Sequence, residues 1–275
     1  MDAGISSAYY SQPHWDEQAW IGIIGVEYEQ ILASAPIARK LEQQSHGKPL
    51  LALDVGCGTA IFPSMLDRQL TGPLLLICDL LDRSELSLAR AADRLASLRH
   101  FQARRQHHAA IETIPSLLPL GPEPYDVIWA IHSFTTVDVR RMPAVLSHLL
   151  RLLAENGRIY IVQLEANSAY QTIHQYYRDR LPNGGDHPAF MTAEQTLEIL
   201  ARQAVDVERV QVRVDHRVDA RRQDLLNQYL QKCVLDPQLD ALPFFQPLLD
   251  AHHRPTAGEF RFRQFVSILS LAPVR

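Results

Sequence analysis

Three places in the chain combine residue types that can do chemistry. The first is Asp54-Val55-Gly56-Cys57-Gly58-Thr59, where a compact apolar run from Leu50 carries an acid into two glycines. Glycine lets the main chain turn tightly and approach a ligand closely. The pattern is not GxGxxG, and no Gly-Lys-Ser/Thr follows, so neither common phosphate cradle is present. An acid beside such a turn would repel a pyrophosphate and suits a cationic group. The second place is Leu81-Asp82-Arg83-Ser84, which closes another apolar run, with Asp79 as the rival acid. In nucleotide-binding sheets an acid after the second strand takes the ribose hydroxyls, while the plainer role is a helix cap. The third is the apolar run Tyr125 to Ile131, which ends on His132 and Ser133. A histidine there can take a proton from a nucleophile, or simply end a strand with a polar group.

The elements that would position these residues alternate. After a helical opening from Ala8 to Leu41, divided near Pro36, the chain breaks at Ser45 to Pro49. Strands are predicted at Leu50–Val55, Leu74–Leu81, Phe101–His108, Tyr125–Ile131 and, after an Asn156-Gly157 turn, Arg158–Leu164. Helices are predicted between them at Ile61–Leu70, Ser84–Leu98 and Met142–Leu153. Such alternation implies a parallel sheet covered on both faces, an α/β fold. Further on, helices are predicted at Tyr170–Arg180, Thr192–Gln203 and Asp224–Cys233, with 181–188 a loop. Alternating strands are predicted at Val205–Val214 and Phe260–Leu271. No repeat or composition shift marks a second domain, so residues 1–275 are expected to form one.

Composition narrows the partners. The chain has 275 residues, is 47% hydrophobic and carries a net charge of -4, which argues against nucleic acid as an obligatory partner. The basic pairs Arg104-Arg105 and Arg221-Arg222 read as solvated ends of elements. Cys57, Cys78 and Cys233 are scattered and odd in number, which disfavours a disulfide framework or zinc site. Cys57 and Cys78 read as core residues. His107-His108 and His252-His253 point apart within their elements and lack carboxylate partners, so no metal is expected. The opening residues do not read as a secretory leader, and no apolar run spans a bilayer. A cytoplasmic protein without membrane contact, monomeric or homodimeric, is expected.

The turn at Asp54, with its flanking strand and helix, resembles the first motif of class I S-adenosylmethionine-dependent methyltransferases, E/D-x-G-x-G. Members of that family commonly place a serine two residues after the ribose-binding acid, as Ser84 stands after Asp82. The run Tyr125-Asp126-Val127-Ile128 and the approach to Gly157-Arg158-Ile159 are similar to the family's fourth and fifth strands. The likeness covers about Ser45 to Leu164. It implies a Rossmann-like, mostly parallel doubly wound sheet with an antiparallel C-terminal strand and a helical substrate-side cap. The expected layout is an N-terminal helical cap at 1–44, a cofactor-binding core at 45–165, and substrate-side helices and strands at 166–275. The implied cofactor is S-adenosyl-L-methionine, held by Asp54, Gly56, Cys57, Gly58, Asp82 and Arg83. Ala110, Ile111, Ile131 and His132 complete that expected site.

The flanking segments resemble the histamine N-methyltransferase family more narrowly, through Tyr170 and His174 ahead of Tyr177 and Arg180, Leu225-Leu226 before Tyr229-Leu230, and the last strand with Ser267. That likeness places a substrate glutamate at Glu29, with Glu27 nearby, and an amide at Gln264. It places the substrate loop's aromatic positions at Thr135, Thr136, Tyr170 and His174, so the pocket is expected to be more polar than the family's. Tyr9, Tyr10 and Trp15 are candidates for a lid or for core packing, and Tyr9 and Trp15 are placed at the substrate. Together these readings imply methyl transfer to a small molecule, first to nitrogen of an amine or amino-acid-like compound. Glu29 and His132 are the candidate proton acceptors. Transfer to oxygen or sulfur of a specialised metabolite, and a non-catalytic cofactor-binding domain, are the alternatives. A nicotinamide-dependent oxidoreductase is disfavoured by the missing GxGxxG.

Overall fold

The computed structural model describes residues 17–119, 123–181 and 189–273. At the centre of its single sheet, β1 (Leu50–Val55) runs parallel to β2 (Leu76–Asp82) on one side and β4 (Tyr125–Ile131) on the other. β3 (Phe101–His108) continues the parallel sheet beyond β2, and β5 (Leu153–Leu164) beyond β4. The last strand, β8 (Glu259–Pro273), inserts antiparallel between β5 and β6 (Val205–Asp219), and the short β7 (His253–Arg254) pairs with β8. The order is therefore β3-β2-β1-β4-β5-β8-β6, with the direction of winding reversing between β1 and β4. Such a reversal leaves a crevice at the carboxyl ends of the strands.

Both faces are covered, which explains the nearly continuous apolar runs of the parallel strands. Successive residues alternate between faces: Val127 and Trp129 join one core, Ile128 and Ala130 the other. The first face is covered by α1 (Glu17–Ser34), α2 (Ile37–Ser45), α3 (Ile61–Asp67) and α4 (Glu85–Ala96). Further along the same face lie α7 (Ala169–Arg178), α9 (Gln223–Val234) and α10 (Ala241–His252). The second is covered by α5 (Ile114–Leu117), α6 (Met142–Arg151) and α8 (Ala193–Leu200). Ser84 caps α4 by accepting from the Ser87 amide, and Thr192 with Gln195 forms a reciprocal capping box on α8. Among the described residues no helix is long and apolar enough to cross a membrane.

Several expectations are corrected. Asn156 and Gly157 do not form a turn but lie inside β5, where the β4–β5 register shifts. Gly157 is needed there because a Cβ would sit 2.8 Å from the Tyr125 carbonyl oxygen. β6 continues past Val214 to Asp219, paired with β8 throughout, although its outward residues are charged. α10 was not foreseen, because Pro243 and Pro247 obscure its pattern. Pro243 falls in its first turn, where the missing N–H costs nothing, and buried Phe245 and Leu249 hold the helix against the core. Arg104 is not simply solvated: it forms an ion pair with buried Asp79 at 2.7 Å. Tyr9, Tyr10, Trp15 and the 182–188 part of the expected loop lie outside the described residues.

Candidate functional site

The carboxyl ends of β1, β2 and β4 open into a cavity of about 240 Å³. Its first part is walled by Asp54, Gly56, Cys57, Gly58, Asp82, Arg83 and Ile111. Its second part is walled by Trp20, Glu27 and Tyr28 of α1, Tyr170 and Phe190, His216 of β6, and Lys232 of α9. His132 and Ser133 join the two, since His132 meets Glu27 at 2.5 Å and Ser133 abuts Gly56.

The two glycines of the turn serve different purposes. Gly56 has φ +69°, and a Cβ on it would lie 2.4 Å from Ser133 Cβ, so the close approach of β4's end requires it. Gly58 has φ +51°, and a Cβ on it would meet nothing within 4 Å, so its backbone faces open space in the cavity wall. The amides of Gly56 and Cys57 donate to the Leu81 carbonyl at 2.7 and 3.0 Å, tying the turn to β2. Asp82 continues that tie, accepting from the amides of Gly58 and Ser84 at 2.9 Å each. Burial raises the Asp82 carboxyl above its usual range, against the pull of those two amides. Asp79 is excluded from the cavity because Arg104 and the Tyr125 hydroxyl consume its oxygens. Burial works against its charge, but these partners hold it below its usual value.

Asp54 is buried at the start of the turn, and its Oδ2 has no hydrogen-bond partner among the described residues. Burial pushes its carboxyl up to about 7; the Trp129 indole opposes the rise and the nearby Asp82 charge adds to it. Arg94 of α4 braces the same region, donating to the Thr59 carbonyl at 2.6 Å and pairing with Glu17 of α1 at 3.0 Å. Glu17 and the Thr59 hydroxyl are also hydrogen-bonded. The first turn of α1 is thus anchored to the glycine turn.

In the second part, Glu27 is buried between two imidazoles, 2.5 Å from His132 Nε2 and 2.8 Å from His216 Nε2. Burial opposes its ionisation, but the two histidines outweigh it and hold the carboxyl well below the usual range. Neither ring nitrogen of His132 has a hydrogen-bond partner among the described residues, Nε2 meeting Glu27 as a close ion pair. The residue has φ +56°, a left-handed backbone that non-glycine residues seldom adopt and that clusters at functional sites. Lys232 is buried, which pulls its ammonium down to about 7.

The fit of sequence-named residues to this cavity is uneven. Asp54, Gly56, Cys57, Gly58, Asp82, Arg83, Ile111, Ile131, His132, Thr135 and Tyr170 are brought together in its wall. Ala110 is not in the wall, although its neighbours Ala109 and Ile111 are. Glu29 is a correction: it is exposed on the outer side of α1, and Glu27 occupies the position expected of it. Glu27 lies three residues after Ile24 and four after Ile23, in line with the buried stripe, whereas Glu29 falls off it. Gln264 is also corrected: it is buried behind the wall, bonded to Tyr229. His174 is buried behind Phe190, stacked on it with ring centroids 3.4 Å apart. His216 and Lys232 were missed. The alternation Val212, Val214, His216, Val218 along β6 carried the signal for His216.

Residues 53–159 match a family model described as a methyltransferase domain. The match marks residues 53–159 as a methyltransferase domain, and the turn and strand order give the sheet around it a Rossmann-like form. Solved structures of the same fold include the YcgJ protein from Bacillus subtilis, at 11% identity and TM-score 0.55 over 87% of this chain and 97% of that one. A plantazolicin methyltransferase in complex with SAH matches at 15% identity and TM-score 0.53, over 98% and 94% of the two chains. The magnesium protoporphyrin IX methyltransferase of Synechocystis, also with bound SAH, matches at 13% identity and TM-score 0.50, over 96% and 92%. No curated protein sequence matches the chain.

Proposed function

We propose that the chain transfers the methyl group of S-adenosylmethionine to the nitrogen of a small amine or amino-acid-like molecule, with His132 taking the departing proton. The observation that carries this reading is the position of His132, between the glycine turn and the second part of the cavity and backed by ionised Glu27. The first part of the cavity fits the cofactor. Gly58 leaves room for it, the unmatched Oδ2 of Asp54 suits its cationic methionine end, and Asp82 suits its ribose hydroxyls. When bound, S-adenosylmethionine supplies a sulfonium methyl group that a nucleophile displaces in line.

The chain's own residues then orient the acceptor and move a proton, which is most of what such a displacement asks of a protein. An amine enters as an ammonium and must lose a proton before its lone pair can attack. His132 takes this proton, and Glu27 stabilises the imidazolium that results. Trp20, Tyr28, Tyr170 and Phe190 wall the acceptor and keep water out, while Lys232 complements a carboxylate on it. A hydroxyl acceptor is a second reading. Both Glu27 oxygens are engaged by histidines, so no free carboxylate there meets an ammonium directly.

The test is transfer of labelled methyl from S-adenosylmethionine to a panel of amines, amino acids and phenols, by wild type and His132→Gln. Methylated amine is expected, with kcat about 100-fold lower in the variant and affinity for S-adenosylhomocysteine unchanged. Turnover only of phenols would replace the amine reading with the hydroxyl one. Full activity in the variant would remove His132 from the chemistry.

A further inference from the structure

Behind the cavity wall runs a line of buried polar groups that the proposed reaction does not itself use. It begins at the Tyr170 amide, whose N–H donates to Gln264 Oε1 at 3.3 Å. That contact, with the Phe262 carbonyl 3.4 Å from Nε2, fixes which end of the Gln264 amide is which. Gln264 Nε2 donates to the Tyr229 hydroxyl at 3.0 Å. The hydroxyl therefore receives one hydrogen and has its own to give. Its partner is His216 Nδ1 at 3.2 Å; the Cys233 thiol, one helical turn on in α9, is the weaker acceptor. With Nδ1 accepting, the hydrogen of a neutral His216 lies on Nε2, which faces Glu27 Oε2 at 2.8 Å. His132 Nε2 stands 2.5 Å from Glu27 Oε1, a close ion-pair contact whose geometry falls short of a hydrogen bond. A lone pair on Nε2 would repel that carboxylate oxygen, so the hydrogen of neutral His132 is also on Nε2, and its Nδ1 carries the lone pair.

We infer that His216, Tyr229 and Gln264 are positioning residues, a chain of hydrogen bonds of one polarity that holds Glu27 and makes His132 offer Nδ1 as its basic atom. The catalytic meaning of this chain rests on the proposed role of His132. Glu27, His216, Tyr229 and Gln264 are buried, so water does not satisfy these groups in its place. His216 is held from both sides, by Tyr229 and by Glu27. His132 is held by Glu27 alone among these links.

That difference gives a sharp consequence. Glu27→Gln exchanges a carboxylate that accepts twice for an amide that accepts once and donates once. One of the two imidazoles must then present a lone pair at Nε2. Because Tyr229 holds His216, the one that changes is His132, and its hydrogen moves to Nδ1.

The experiment is two-bond proton–nitrogen correlation spectroscopy of ¹⁵N-histidine-labelled protein at pH 8, without cofactor or acceptor. The two residues are assigned through His132→Gln and His216→Gln. In wild type both are expected to carry hydrogen on Nε2. In Glu27→Gln, His132 is expected to switch to the Nδ1-hydrogen form while His216 stays. In Glu27→Gln with Tyr229→Phe, the restraint on His216 is gone and both histidines are expected to show mixed forms. A wild-type His216 with hydrogen on Nδ1 would overturn the inference without any variant needing to fold. So would a switch at His216, or at neither residue, in Glu27→Gln. These spectra are independent of methyl transfer, so a failed acceptor screen and a failed hydrogen-bond chain are separate results.

Discussion

Asp54 shows how one buried acid can stand at a cavity wall at the expense of stability. Burial lifts its carboxyl to about 7, whereas in an unfolded chain it ionises near pH 3.9. A raised carboxyl holds its proton more tightly in the folded state. Its contribution to stability is therefore full below about pH 4 and is lost as pH rises through about 7. Asp54→Asn is expected to raise the melting temperature of the ligand-free protein at pH 8, by an amount on the order of a few kcal/mol in stability, and to make little difference near pH 4. Thermal melts at the two pH values check this, and an unchanged or lower midpoint at pH 8 would refute it. A cationic ligand favours the ionised carboxylate, so S-adenosylmethionine affinity should weaken about tenfold per pH unit below 7. In Asp54→Asn that slope is expected to vanish. At this scale Asp54 and Asp82 were legible because each follows an apolar strand and precedes a turn. Glu27 was legible in principle, from its place in the helical stripe. The identities of its partners were not, because they lie 105 and 189 residues further along.

Among the elements, the glycine turn separates packing from binding. Gly56→Ala places a methyl group against Ser133 in a left-handed backbone, and is expected to cost about 1–3 kcal/mol of stability. Gly58→Ala meets no neighbour. It is expected to cost about 1–2 kcal/mol from backbone strain, with a proportionally larger loss in cofactor affinity. Melts paired with ligand titration check the contrast, and a Gly56 variant as stable as wild type would sink it. Thr192→Ala removes the box on α8 and is expected to cost about 1 kcal/mol. The parallel strands and their helices were legible because two-sided burial writes continuous apolar runs and caps mark the helix starts. The far half of β6 and the whole of α10 were harder. β6 past Val214 alternates buried residues with charges that face outward, and α10 carries prolines that count against a helix locally but fit its first turn and its packing.

Across the whole molecule, the half of the cavity proposed for the cofactor is local to the sequence and the half proposed for the acceptor is not. Asp54, Gly56, Gly58 and Asp82 come from two consecutive strand ends. The second half is assembled from α1, the end of β4, β6 and α9, and it takes shape only when β8 slots between β5 and β6. Periodicity reveals that these elements exist but not which side chains face one another. That is why Gln264 was placed at the substrate when it stands behind the wall. The order of the sheet makes the crevice, and the helical flanks close it over His132.

The central claim is that the crevice beside Asp82 holds S-adenosylmethionine. Calorimetric titration of the purified chain with S-adenosylmethionine and S-adenosylhomocysteine, beside Asp82→Ala, tests it most directly. Saturable one-to-one binding of both ligands that weakens at least about tenfold in the variant is expected, from the loss of charge-assisted hydrogen bonds to the ribose. No binding by the folded wild-type protein, or equal binding by the variant, would contradict the account.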